Sequence, residues 1–444
     1  MSSSENKPKS KPELARRLGL FDATMLVMGG IIGSGIFINP YVVARQVTTP
    51  FLILGVWAFG GLVALVAAFI WAELAALRPD VGGQYAYLRE AYHPSIAFLY
   101  GWALLLVIQT GGMAAVAVTF ARYFIELTRI PVADSVVAAF ALAILTGINC
   151  LGVRAGGTVQ SSLMVLKIIA IVALILCGLL LAAPASYVPG VPAAGNSFGM
   201  LTTIGAALIP VLFAYGGWQT ASFVAGEIRE PRKKLPRALV IGVVSVIVLY
   251  LLVNFVYVYV LSPQGLAKTT TPASDVMRFA LGPTGASLIA AGIAISTLGF
   301  LSQGMLTAPR VYFAMAEDGL FFKSVAWVHP KTLAPVVAIA VQGVLAIVIA
   351  LWGSYEQILN YVVSVDFIFF GLTATCIFLL RRKKTEQSRG IRVPGHPITT
   401  VLFVAVCWLV VINTIYRYPE NTLIGLGILL AGIPAYLFWR WKNG

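Results

Sequence analysis

Apolar residues are gathered along this chain into long blocks, at 20–38, 51–77, 95–121, 135–151, 159–183, 201–225, 238–261, 285–310, 334–353, 357–380, 397–415 and 421–439. Most exceed about 18 residues, the length beyond which a membrane crossing explains a run better than a buried core helix does. None alternates polar and apolar positions over about 10 residues, as the strands of a membrane barrel would. The pattern predicts an all-α integral membrane protein of 12 transmembrane helices. Composition points the same way: of 444 residues 59% are hydrophobic and 11% charged, where a soluble domain carries about 25% charged residues. That excludes a soluble enzyme. A net charge of +14 would suggest a nucleic-acid partner in a soluble protein; here it is read as topology, and no nucleic acid is expected.

The basic residues orient the helices. With the amino terminus placed in the cytosol, 24 of the 31 Lys and Arg residues fall in segments or at run ends on that side, 6 fall on the other, and only Lys167 lies in the interior of a run. Such a bias follows the positive-inside rule, and a single missed helix would invert every later loop. Both termini are therefore expected in the cytosol of a multi-pass cell-membrane protein. Residues 1–19 are polar, with Lys7, Lys9, Lys11, Arg16 and Arg17, and lack the apolar stretch of a cleaved signal sequence.

Two runs are interrupted by glycine. The first contains Gly29-Gly30-Ile31-Ile32-Gly33-Ser34-Gly35, and the sixth Phe213-Ala214-Tyr215-Gly216-Gly217. These are the opening helices of two successive five-helix units, 20–183 and 201–380, followed by a pair at 397–439 and a short end at 440–444. An odd number of helices per unit inverts the second unit in the membrane, and breaks at matching positions mark a binding site near the midplane. Unwound backbone at that depth must line a cavity or hold a ligand, because each unpaired N–H or C=O is expensive in hydrocarbon. Free amides at Ser34 and Gly35, at the start of a half-helix, suit a carboxylate. Free carbonyls at Ile31, Phe213, Ala214 and Gly216 suit an ammonium. Together the poles fit an α-amino acid. The competing reading, close helix packing through small residues such as Gly29 and Gly33, explains either cluster alone as well as a site does, but explains both together less well.

The motifs GGIIGSGIF, WAELAALRPDVGGQYAYLREAY, FAYGGWQ, GEIREPRKKLPRA and MAEDGLFF, in this order along nearly the whole chain, resemble the amino acid–polyamine–organocation superfamily, and most of all its L-type amino acid transporter branch. The resemblance implies a LeuT-like 5+5 inverted repeat with helices 1 and 6 unwound, two trailing helices and alternating access. It implies substrate contacts at Ile31, Gly33, Ser34, Gly35, Phe213, Ala214 and Gly216, with Phe213 as an outer gate. It also implies that the ammonium of Lys167 stands where sodium-coupled relatives hold a sodium ion, bridging the fifth helix to the first break. From the sequence itself, Lys167 lies about 8 residues into its run, roughly 12 Å deep at 1.5 Å per residue; snorkelling to the interface is the alternative.

Further candidates for pocket or gate are Tyr215, Gly217 and Trp218 beside the second break, and Asp366, an acid within the tenth run. Glu73 and Glu227 read as gate or anchor charges at the cytosolic ends. Cys150, Cys177, Cys376 and Cys407 show no ligand spacing, so no metal and no cofactor is expected. The expected activity is sodium-independent exchange of small to medium neutral L-amino acids. Alternatives are a proton-coupled or uniporting permease, for cationic amino acids or polyamines, and a non-transporting amino acid sensor. A membrane enzyme is disfavoured because His93, His329 and His396 all lie in loops, and a channel because no filter-like repeat exists. Animal relatives join a heavy chain through a cysteine in the loop near 122–134, which has none here; no disulfide-linked heavy chain is expected.

Overall fold

The computed structural model describes residues 18–78, 83–151, 157–185, 197–223, 228–330, 334–383 and 391–443. Every regular element among them is a helix, and the sole β pairing is an isolated bridge between Leu18 and Ile228. Among the described residues nine helices are long and apolar enough to cross a bilayer, and Asp134–Cys150, Met164–Leu180 and Val336–Trp352 are shorter apolar helices. Over its described residues, each of the twelve apolar runs overlaps one of these helices.

The first run becomes α1 (Leu20–Ile31) and α2 (Gly35–Gln46), separated by Ile32, Gly33 and Ser34. The break is shorter than the glycine cluster, because Gly29 and Gly30 remain helical. Their role is close approach: a methyl on Gly30 would stand 2.7 Å from the Gly217 carbonyl oxygen. Next comes α3 (Pro50–Leu77), started by the Thr49 side chain, which accepts from the Leu52 amide, and by Pro50 in the first turn. The following segment holds a short helix, α4 (Gln84–Ala91), and α5 (Pro94–Ala103). A π-helical turn at Leu104–Ile108 then leads into α6 (Gln109–Thr128). Such turns are rare and concentrate at functional sites.

After α7 (Asp134–Cys150) and α8 (Gly157–Leu180), the sixth run forms α9 (Ser197–Tyr215) and one further turn, α10 (Thr220–Phe223). Two elements outrun the apolar pattern. Helix α11 (Pro231–Leu266) continues past a kink at Ser262, and α12 (Pro272–Thr307) begins 13 residues before the apolar block, with a kink at Gly282. Both kinked residues have positive φ, 57° and 68°. The chain ends with α13 (Pro309–Glu317), α14 (Val336–Trp352), α15 (Tyr355–Lys383), α16 (Ile398–Arg417) and α17 (Pro419–Asn443). In the core α1 packs on α11, α2 on α9, and α6 on α12, so both interrupted helices lie at the centre.

The ends of the bundle are tied by polar groups. Glu73, near the end of α3 and only 3% exposed, accepts two hydrogen bonds from Arg381 of α15 at 2.6 and 2.8 Å and one from the Val393 amide at 2.8 Å. The anchor reading of Glu73 therefore has a geometry; Glu227 lies outside the described residues. Replacing Glu73 by Ala strands three N–H donors, a loss of about 1–3 kcal/mol for a buried partner. Thermal unfolding of purified Glu73→Ala protein is expected at a lower midpoint, and adding Arg381→Ala should cost less than it does alone. An unchanged midpoint would show that these three bonds hold nothing.

Candidate functional site

One cavity lies between the two breaks. Its wall includes Gly30, Ile31, Gly33, Ser34 and Gly35 from the first break, and Leu212, Phe213, Ala214, Gly216 and Gly217 from the second. It offers about 100 Å³ to the centres of water-sized spheres, where one water needs about 10–15 Å³ on that measure. That is room for a small organic molecule.

Glycine makes the meeting of the breaks possible. A methyl on Gly217 would stand 2.0 Å from the Gly30 carbonyl oxygen, and Gly217 has φ +103°, a conformation that side chains rarely adopt. A methyl on Gly35 would lie 2.6 Å from the Cα of Ala214. The amino-terminal end of α2 therefore touches the carboxy-terminal end of α9. Positive φ is needed only in the second break. Gly33 instead accommodates the Phe300 ring, 3.2 Å from where a methyl would be.

Backbone accounting defines the poles. The first amides of α2 have no partner within their helix, and the Ser34 carbonyl accepts from the Phe37 and Ile38 amides at 3.0 and 3.2 Å. Ser34 Oγ is buried without a hydrogen bond of good geometry, although the Tyr355 hydroxyl stands close to it. On the negative side, the Ile31 carbonyl accepts from the Gly33 amide at 2.7 Å, and the Phe213 carbonyl accepts from the Gly216 amide at 3.1 Å. Tyr250 of α11, fully buried, points its hydroxyl at both the Ile31 and Ala214 carbonyl oxygens, at 3.2 and 3.3 Å. Its one proton is shared between the two breaks. Each carbonyl has two lone pairs, so Phe213 keeps one, and the single Tyr250 proton leaves acceptor capacity at Ile31 or at Ala214.

Lys167 of α8 is buried and donates from Nζ to the Ile32 carbonyl. The Phe300 ring centre lies 6.0 Å from the same nitrogen, within cation–π range. The lysine thus meets the first break at the carbonyl that α1 leaves unpaired, and it does not snorkel. Asp366 lines the cavity with Val362, Val363 and Phe367, the three- and four-residue spacing of one helix face. Gly217 also lines it. Tyr215 and Trp218 do not: Trp57 meets Tyr215 edge-on at 5.7 Å, and Trp218 packs on Trp71 and Phe370 at 6.2 and 5.1 Å. Both are core residues behind the break.

Sequence reasoning passed over Tyr250, Gln109, Phe300 and Gln303. Gln109 and Gln303 carried a signal, since an amide inside an apolar run needs a polar partner. Tyr250 carried none, standing in a run with two other tyrosines, Tyr257 and Tyr259.

Residues 18–432 match the family model described as amino acid permease. The chain belongs to the amino acid permease family. This permease is 30% identical over 441 residues to the large neutral amino acids transporter small subunit 2 of Homo sapiens, covering 97% of the permease and 82% of the human protein. It is 31% identical over 429 residues to the serine/threonine exchanger SteT of Bacillus subtilis, covering 95% and 96%. The b(0,+)-type amino acid transporter 1 of Mus musculus is 30% identical over 441 residues, with 97% and 89% covered. The permease also shares its fold, at TM-score 0.57 and 13% identity over 97% of its length and 98% of that chain, with a manganese transporter from Eremococcus coleocola solved with an aromatic bis-isothiourea compound. It is thus a multi-pass membrane protein of an amino acid transport family.

The backbone contact at Gly217 gives a direct test. Gly217→Ala should lower amino acid uptake in proteoliposomes at least about tenfold, because displacements near 1 Å in a site cost this much or more. Gly55→Ala, where a methyl would meet nothing within 4 Å, should transport normally. Equal activity in both variants would remove the Gly30–Gly217 contact from the argument.

Proposed function

We propose that this permease is a sodium-independent exchanger of small to medium neutral L-amino acids in the cell membrane, working by alternating access. The observation that carries the reading is the fixed ammonium of Lys167 on the Ile32 carbonyl, within the break that also offers the α2 amides. A cation built into the chain holds the unwound backbone in place, so no dissolved cation is required for that task. The substrate carboxylate lies on the Ser34 and Gly35 amides, and its ammonium on the acceptor capacity left at Ile31, Phe213, Ala214 and Gly216. Phe213, partly buried in the cavity wall, covers the substrate from one side.

The architecture belongs to the same proposal: twelve crossings with both termini in the cytosol, as a 5+5 inverted repeat with two trailing helices. The relatives favour this substrate class, since one is named a serine/threonine exchanger and another a transporter of large neutral amino acids. The chain acts alone, without a disulfide-linked partner and without cofactor or catalysis. A sensor on the same fold would bind amino acids without moving them.

In proteoliposomes, uptake of labelled serine or alanine is expected only when the lumen holds unlabelled amino acid, and at the same rate with sodium removed. Lys167→Ala should cut the exchange at least about tenfold, as loss of a buried charged hydrogen bond does, while the protein remains folded. Equal uptake into empty vesicles, or a sodium requirement, would overturn the exchange mode; wild-type rates in Lys167→Ala would remove the lysine from it.

A further inference from the structure

A second cavity lies at the end of the bundle opposite the Glu73 clamp and shares no wall residue with the first. It offers about 260 Å³ to the centres of water-sized spheres, against about 100 Å³ for the first. Helical spacing sets it further along the same faces of three helices: Gly35 then Val42 and Gln46 on α2, Phe213 then Pro210 on α9, and Val363 then Asn360 and Glu356 on α15. Between the two stands Asn39, on that face of α2, which accepts from the Tyr355 hydroxyl and donates to the Pro210 carbonyl. The second wall carries charge of both signs. Arg45 and Glu356 face each other at 3.6 Å, each about half exposed, beyond the roughly 3.2 Å limit of an ordinary N–H···O bond. Asn360 is only 7% exposed, yet its side-chain amide makes no hydrogen bond among the described residues and opens onto the cavity. A buried amide without a partner is costly, and here a partner can reach it through the cavity.

We propose that this outer cavity is a second amino acid site, which holds a zwitterion on the external side of the Asn39 partition. The proposal rests on the transport reading for the identity of its ligand, and adds a station outside the central cavity. An α-amino acid carries the two charges that the wall carries, so its carboxylate meets Arg45 and its ammonium meets Glu356. Exposed ion pairs contribute little, so a ligand bringing both opposite charges replaces the loose pair at small cost. The Asn360 amide has donors and an acceptor and completes the polar contacts, while Val42, Ile209 and Leu359 offer apolar surface to a side chain. Binding is weaker here than in the central cavity. The outer charges stand half in water, where salt screens them, and the ligand must displace an existing pair.

The test uses full-length Asn360→Cys protein in proteoliposomes and a membrane-impermeant cationic methanethiosulfonate, with the wild type and its own four cysteines as background. The new thiol is expected to react, and saturating external alanine to slow its labelling at least about fivefold. Half of that protection should need at least about ten times the alanine that half-saturates uptake, the mark of a weaker site. Protection should also persist when Gly217→Ala, which impairs the central cavity, is added. A thiol that stays unlabelled, or labelling indifferent to alanine, would overturn the outer site and leave the transport reading standing. Protection that follows the uptake curve and vanishes with Gly217→Ala belongs to the central cavity and would do the same. Protection that persists with Gly217→Ala in a protein that moves no alanine would keep the outer site and overturn the transport reading. Where Asn360→Cys fails to fold, Gln46→Cys in the same wall takes its place under the same criteria.

Discussion

The structure of the site depends on one close approach of backbone to backbone. Gly217 sits so near the Gly30 carbonyl that a single methyl would overlap it, and Gly35 lies as tightly against Ala214. These contacts bring the amide end of α2 and the carbonyl ends of α1 and α9 to the same few ångströms. Each interruption alone would leave unpaired backbone in an apolar interior, at several kcal/mol per group. Joined, they make a small polar enclosure whose opposite ends carry opposite partial charge. The surrounding helices need only be apolar and closely packed.

What remains is a matter of which polar groups the protein satisfies itself. The Ile32 carbonyl is held by Lys167, and the Ile31 and Ala214 carbonyls share the Tyr250 hydroxyl. Because that hydroxyl reaches both breaks at once, it binds the end of α1 to the end of α9 while leaving lone pairs exposed to the cavity. The lysine does the complementary task from the opposite flank, on α8. A charged group in mid-membrane costs at least about 2.5–3.5 kcal/mol, and Lys167 offsets that through a carbonyl otherwise unpaired. The same accounting leaves the α2 amides as the groups most in need of an external partner.

The run lengths and the glycine clusters made the helical bundle and the two breaks legible in the sequence, because hydrophobic length and backbone permissiveness are local properties. The division of labour inside the first cluster was not legible: Gly29 and Gly30 stay helical and serve packing, while the unwinding falls on Ile32, Gly33 and Ser34. Only the partner, Gly217, reveals this. Trp218 and Tyr215 flank the break in sequence yet face away from the cavity, since an extended turn points neighbouring side chains in different directions. Tyr250 lay hidden for the converse reason. Its importance arises from two carbonyls far away in the chain, and its own surroundings in sequence are ordinary. The early start of α12 at Pro272 was invisible too, because its first turns are polar enough to read as a loop.

Helix α15 connects the cavity to both ends of the bundle. At its start, Tyr355 donates to Asn39 of α2 at 2.7 Å, Asn39 in turn donates to the Pro210 carbonyl of α9, and Glu356 pairs with Arg45 at 3.6 Å. At its other end, Arg381 grips Glu73 of α3. Asp366 lies between these clamps, on a helix that cannot shift freely at either end. The clamps differ in strength. The Arg45 and Glu356 side chains are 51% and 49% exposed, and exposed pairs contribute about 0–1 kcal/mol, whereas the Glu73 set is buried and bidentate. The exposed pair is thus the weaker tie between α2 and α15, and the buried Tyr355–Asn39–Pro210 chain the stronger. That chain begins beside Ser34, where the substrate carboxylate is proposed to bind. Any ligand that shifts the Ser34 turn acts directly on the hydrogen bonds that hold this end of the cavity together.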